Sequence, residues 1–227
     1  LADTKKFLGN VGKVGKKFSD VGDSMKNAGD KINKVFAGIG VAAGAVAGKS
    51  LSAFRDFETG MNEVFTLMPG TSQAAFDEMN SDVLALSKQI GKLPEDVIPA
   101  LYDSLSAGIP PDNVFAFLET ANKLAIGGAT DLGVAVDGLT TVVNAFGADT
   151  ISVGEASDMI FTAVKGGKTT VEQLSKAMFN VAPIAASMGI EFGNVTAAVA
   201  TLTASGTPTS VAMTQIRAAL SELAKPT

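Results

Sequence analysis

Regularly spaced glycines constrain this chain more than any other feature. From about residue 50 onward, segments with helical apolar spacing each end near a glycine and begin with a proline or a capping residue. Glycine ends helices readily because it adopts left-handed backbone angles, whereas proline suits the first helical turn. The glycines that we expect to end helices are Gly91, Gly108, Gly127, Gly147, Gly166, Gly189 and Gly206.

This pattern predicts a series of short helices. Pro94, Pro111 and Pro208 fall in the first turns of their segments, and Pro183 should kink or divide the helix that contains it. The β-branched run "LTTVVNAF" could form a strand by itself, but its length between two glycines favours a helix. The predicted fold class is therefore all-α, with helices near 50–67, 72–90, 94–107, 111–126, 131–146, 153–165, 170–188, 193–205 and 208–224.

The first 50 residues follow a different pattern. Apolar residues in the range 7–46 alternate at spacings of four and three, which is typical of helices that supercoil around partners. The predicted self-association seam consists of Phe7, Val11, Val14, Phe18, Val21, Met25, Ala28, Ile32, Val35, Ile39, Ala42 and Val46. The alternative is a single amphipathic helix that packs on its own domain.

Charge separates the two parts as well. Residues 1–36 hold eight Lys and four Asp, a balance of +4, so the remainder carries −9 to reach the total of −5. We therefore expect an amphipathic coil segment with a Gly/Ala-rich end over residues 1–50 and a helical core over residues 51–227. The chain opens on a Lys-rich segment without a signal-peptide pattern and stops just after a helical pattern, so we interpret it as a piece of a longer protein.

The stretch "GIGVAAGAVAG", residues 38–48, has no polar side chain. Residues 35–48 lack charge but fall short of the roughly 20 residues that span a bilayer. Gly40, Gly44 and Gly48 form a ladder of glycines four residues apart, as in closely packed helices. Close packing in a helix bundle and membrane insertion are the two interpretations of this stretch.

The composition argues against catalysis. The chain contains neither Cys nor His, which excludes disulfides and thiol chemistry together with the commonest general base and metal ligand. "GKS" at 48–50 and "GKT" at 167–169 resemble the end of a phosphate-binding loop, but Ala43 and Thr162 stand where that motif requires glycine. We predict no enzymatic activity, no cofactor and no metal site.

Five segments resemble the core region of phage tail tape measure proteins, a minor tail protein family of long-tailed phages. They are "FETGMNEV" (57–64), "ALYDSLSAGI" (100–109), "VAVDGLTTVVNAFG" (134–147), "ASDMIFTAVKGGKTTVEQLSKAM" (156–178) and "VAPIAASMGIEFGNVTAAVATLTASGTPTSVAMTQIRAALSELAKP" (181–226). The resemblance covers the chain from about residue 57 onward. Residues 1–50 match the family only in kind, as a Lys-bearing coil that contains Gly and Ala.

The resemblance implies a structural role without enzymatic activity. A tape measure protein lies inside the tail tube as a length ruler and assembly scaffold, docks at the tail tip and leaves the tube during DNA ejection. The implied partners are further copies of the chain, as a trimer or hexamer, the tail tube and tail-tip proteins (distal tail and hub), and transiently the host membrane and the phage DNA end. The implied location is the lumen of the tail tube and tail tip of the virion, after assembly in the host cytoplasm. The alternative function is a membrane-inserting protein that forms or lines a passage in the host envelope.

Overall fold

The computed structural model describes residues 46–225, and this part of the chain consists of helices without strands. In chain order, the helices are α1 (Val46–Thr66), α2 (Gln73–Ile90), α3 (Pro94–Ser106), α4 (Pro111–Gly127), α5 (Leu132–Phe146), α6 (Val153–Gly166), α7 (Val171–Met178), α8 (Ala182–Ser187), α9 (Phe192–Ala204) and α10 (Thr209–Leu223). The all-α prediction is confirmed.

Most predicted helix ends agree with the structure to within one residue. The largest difference is at α1, which begins at Val46 instead of residue 50. Pro183 occupies the first turn of α8 and divides the predicted helix 170–188 into α7 and α8, as expected. Pro208 precedes α10 as its N-cap, so its predicted place in the first turn is wrong by one residue.

One short connection recurs along the described part of the chain. A residue with positive φ follows the helix, and the next helix begins three residues later. The N–H after this residue donates to the carbonyl five positions earlier, as from Ile109 to Ser104 at 3.0 Å and from Thr207 to Leu202 at 3.1 Å. These bonds satisfy carbonyls that a helix end leaves unpaired. The positive-φ residues of these connections are Gly91, Gly108, Ala129, Gly189 and Gly206.

Two of the glycines predicted to end helices do so without a left-handed backbone. Gly127 and Gly166 are the last residues of α4 and α6, but neither has a positive φ. After α4 the left-handed position belongs to Ala129, with φ of 50°. A methyl group at Gly127 would lie 3.1 Å from the Phe161 ring, so this glycine allows close packing between α4 and α6. The prediction missed this because packing between distant helices leaves no local pattern.

The central helix of the bundle is α5. It packs against α3, α4, α6, α7 and α8, and eight of its fifteen residues are buried. A methyl group at Gly138, midway along α5, would lie 2.8 Å from Ser175 Cβ on α7. At the start of α7, Val171 approaches Gly128 as closely, since a methyl group there would lie 2.7 Å from Val171 Cβ. Gly138 therefore lets the backbones of α5 and α7 come close together, and Gly128, just after α4, leaves room for the start of α7.

The residues from Asp56 onward form a compact unit of their own, the second unit of the chain. Within the second unit the buried apolar residues run from Met61 on α1 to Leu220 on α10 and form one continuous core. Phe65 and Phe76 stack with ring centroids 4.0 Å apart and join α1 to α2. The core of this unit therefore draws on every helix from the end of α1 to α10.

Candidate functional site

Most of the predicted self-association seam lies outside the described residues. Val46 is the first residue of α1, and the other seam positions precede it. Gly40 and Gly44 also lie outside the described residues, whereas Gly48 lies in α1. The seam and the glycine ladder therefore stay predictions.

Neither phosphate-loop candidate has the geometry of such a loop. Residues 48–50 are helical, because they lie near the start of α1. Residues 167–169 connect α6 to α7, and Thr170 caps α7 by accepting a hydrogen bond from the Gln173 N–H at 3.1 Å. The segment 167–169 follows the helix α6, whereas a phosphate-binding loop follows a strand.

Among the described residues, two exposed ionisable groups have shifted pKa values. The Ser152 hydroxyl and N–H donate to the Glu155 carboxylate at 2.6 and 2.9 Å, and this lowers the pKa of Glu155. The hydrogen bond and charge of Glu172 raise the pKa of Lys176, whose ammonium lies 2.6 Å from the Glu172 carboxylate. Both shifts arise from helix capping and a pair four residues apart, which are structural arrangements.

The first open surface is the α6–α9 groove, with a volume of about 560 Å³. Small side chains make its floor, and two carboxylates, Glu155 and Asp158, lie on the α6 side. Its lining consists of Glu155, Asp158, Met159, Thr162, Ala163 and Gly166 of α6 and Gly193, Thr196, Ala197 and Ala200 of α9. It is open to solvent and offers no converging catalytic groups.

The second open surface, of about 540 Å³, is the Phe179 groove. It lies between α7 and the turn that leads into α10. It is lined by Lys168, Gln173, Lys176, Ala177, Phe179, Asn180, Gly206, Thr207, Pro208, Thr209 and Ser210. Lysines and uncharged residues make up this lining, and acidic residues are absent from it.

Hydroxyl hydrogen bonds hold the Phe179 groove in shape. The Thr209 side-chain oxygen lies 2.7 Å from Thr169 Oγ1 and donates to the Gln173 side-chain oxygen at 2.9 Å. Thr209 is buried, so these bonds join the start of α10 firmly to α7. These bonds therefore fix the position of the α10 start relative to α7 on this side of the groove.

Several large apolar side chains remain in water. On the described part of the surface they are Leu93, Ile126, Phe161, Phe179, Val211 and Leu223. Phe179 borders its groove, and Val211 follows the lining residue Ser210. Exposed apolar side chains of this size are typical of protein–protein contact sites when they cluster beside polar residues.

The described residues contain no group of three or more acidic, His or Cys side chains arranged to hold a metal ion. Within the same range, no single helix is long and apolar enough to cross a bilayer. The pair α4 and α5, bent by 117°, together reach the required length and apolar content. Both helices contribute heavily to the buried core of this unit.

Comparison with known proteins identifies the family. Residues 80–227 match the family described as phage-related minor tail protein. The chain belongs to this family. The resemblance to tape measure proteins that the sequence motifs indicated is thereby confirmed, and the chain is a structural component of a phage tail.

Two curated relatives support this family membership. The chain is 32% identical over 214 residues to a probable tape measure protein of Clostridium phage phiCD119, a match that covers 92% of this chain and 22% of the relative. It is 23% identical over 181 residues to the tape measure protein of Pneumococcus phage Dp-1, a match that covers 80% of this chain and 16% of that relative. The minor tail protein chain thus spans about a fifth of the length of these relatives. No solved structure matches it.

The two grooves were not predicted from the sequence. A partial signal existed at Phe179, because this residue is the large aromatic that comes just after α7 ends. Helical periodicity alone assigns such a residue to the core, whereas the structure leaves it 64% exposed. The division of the predicted helix at Pro183 places Phe179 in a connection instead of on a buried helix face.

Proposed function

We propose that this chain is part of a tape measure protein that sets the length of a phage tail and scaffolds its assembly. The observation that carries the proposal is the match to two tape measure proteins, over 92% and 80% of this chain. The all-helical fold agrees with this role, because a helix converts residues into distance at a constant 1.5 Å per residue. The role requires no catalysis, which agrees with the absence of Cys and His from the sequence.

Within this proposal, the two parts of the chain have different tasks. The seam over residues 7–46 associates with the same segment of other copies, as a trimer or hexamer, inside the tail tube. Residues 51–227 form the helical core that docks at the tail tip, and the chain leaves the tube at DNA ejection. Two features support docking: the open grooves on this unit and the large apolar side chains exposed beside one of them.

A deletion in the seam tests the ruler. Removing residues 11–38 from the phage gene takes out four heptads, so Phe7 and Ile39 keep the spacing of four that the seam requires. We expect tails about 42 Å shorter, from 28 residues at 1.5 Å each, as measured by electron microscopy of purified particles. Duplicating the same segment should lengthen the tail by the same amount.

The matched control keeps the length and changes the residues. Replacing residues 11–38 with an unrelated heptad sequence of equal length should leave the tail length unchanged. Tails of unchanged length in both the deletion and the duplication would overturn the ruler for this segment. If the deletion variant forms no tails, the replacement variant shows whether the lost length or the lost residues are responsible, because it keeps the original length.

A further inference from the structure

The Phe179 groove carries positive charge on an acidic chain. Lys168 and Lys176 lie on its lining, but Lys176 is already paired with Glu172 at 2.6 Å, so the charge available to an occupant comes chiefly from Lys168. The sequence beyond residue 36, in contrast, has a net charge of −9. The helix α10 starts at the groove, and its N-cap Pro208 supplies no side-chain hydrogen bond, so the first N–H groups add to the positive potential. An acidic occupant is therefore favoured.

An apolar anchor accompanies this charge. Phe179 is 64% exposed at the edge of the groove, and Val211, one residue past the lining, is 44% exposed. Phenylalanine is enriched in the centres of protein interfaces, and lysine is more common at their rims. The occupant should therefore combine an apolar side chain with carboxylates beside it.

This chain has such a surface of its own at the corner between α2 and α3. Leu93, the N-cap of α3, is 60% exposed, and Glu95 and Asp96 are exposed in the first turn of the same helix. We name these three residues the Leu93 corner. The two carboxylates follow Leu93 by two and three positions, and the half-buried Lys92 precedes it.

The two surfaces do not meet within one copy. Leu93 and Phe179 each keep more than half of their surface in water, so neither covers the other. In the packing of the bundle, α3 lies against α2, α4 and α5, whereas α10 lies against α7, α8 and α9. Contact between the groove and the corner requires a second copy.

We propose that the Phe179 groove binds the Leu93 corner of a second copy of this chain, so that the helical cores associate head to tail. The contact joins two different surfaces, and each copy therefore retains one free groove and one free corner. Repetition of such a contact closes into a ring when the rotation allows it. The proposal deepens the self-association in the proposed function and adds a contact that is independent of residues 7–46.

Disulfide trapping tests this contact, because the chain contains no cysteine that could react in the background. One variant carries Leu93→Cys and the other Phe179→Cys, and the two full chains are mixed and oxidised. A disulfide forms only where Cα atoms come within about 7 Å. We expect the mixed pair to cross-link at least tenfold faster than Leu93→Cys mixed with Ile126→Cys, a control residue that is 67% exposed.

A charge exchange gives an independent measurement. Lys168→Glu with Lys176→Glu should slow cross-linking of the mixed pair several-fold, and Glu95→Lys with Asp96→Lys in the other chain should restore the rate. A rate no higher than that of the Ile126 control would overturn the proposal. Faster cross-linking of Phe179→Cys with itself would also overturn it, because that result indicates a symmetric contact. Neither result bears on the proposed ruler function, which the tail-length experiment tests separately through residues 11–38.

Discussion

At the scale of the residue, Ala129 has a backbone conformation that glycine adopts in the equivalent connections. Ala129 follows α4 and has a φ of 50°. Gly108 and Gly206 occupy the same position after α3 and α9. A left-handed conformation costs a residue with a side chain about 1–2 kcal/mol. We expect Ala129→Gly to raise the free energy of unfolding by about 0.5–1 kcal/mol, since the greater freedom of glycine in the unfolded chain offsets part of the gain. Urea denaturation followed by circular dichroism measures the change.

The matched control is Gly108→Ala. Nothing lies within 4 Å of the added methyl group, so the substitution changes the backbone preference without a steric contact. It should lower the free energy of unfolding by a similar amount. A lower stability for Ala129→Gly would contradict the left-handed conformation assigned to residue 129.

At the scale of the element, the crossing of α5 and α7 depends on Gly138. A methyl group there would lie 2.8 Å from Ser175 Cβ and 3.3 Å from Ser175 Cα, and α7 also packs against α6 and α10. We expect Gly138→Ala to lower the free energy of unfolding by about 1–3 kcal/mol, as overpacked core positions do. Thermal and urea unfolding of the purified chain would give the value.

The same helix offers the control for this prediction. Gly133 lies near the start of α5, and a methyl group there would have open space around it. Gly133→Ala should therefore be neutral or raise the stability by up to about 1 kcal/mol, from helix propensity alone. Equal effects at residues 133 and 138 would show that the close crossing of α5 and α7 is absent.

At the scale of the whole molecule, the unit from Asp56 onward has its own core. Met61 and Val64 of α1 are fully buried, and Phe65 stacks on Phe76. A chain that begins at Asp56 keeps all of these contacts, and we expect it to unfold cooperatively in a thermal melt followed by circular dichroism. A chain that begins at Gln73 lacks α1 and should be less stable by more than about 2 kcal/mol, the lower range for loss of one large core side chain.

The comparison of the two truncated chains decides the prediction. If the chain from Asp56 showed no cooperative transition, the second unit would depend on residues 1–55 for its fold. If the chain from Gln73 were as stable as the longer one, the burial of Met61 and Val64 would contribute nothing to stability. The core would then begin at α2.

The sequence alone determined most of the helix boundaries. Proline lacks an N–H and glycine reaches left-handed angles, and both effects act within one turn, so Pro94, Pro111, Gly91 and Gly189 mark their helix ends without help from distant residues. The motifs that resembled tape measure proteins are equally local, and the family match over residues 80–227 includes four of the five, all except 57–64.

Only the tertiary structure decided which glycines turn the chain and which let helices approach. Gly127 and Gly138 owe their role to Phe161 and Ser175, which come from other helices. The exposure of Phe179 has the same origin, because burial depends on what packs against a side chain and not on the side chain itself. Local sequence sets backbone angles, whereas contacts between helices form only when the chain has folded.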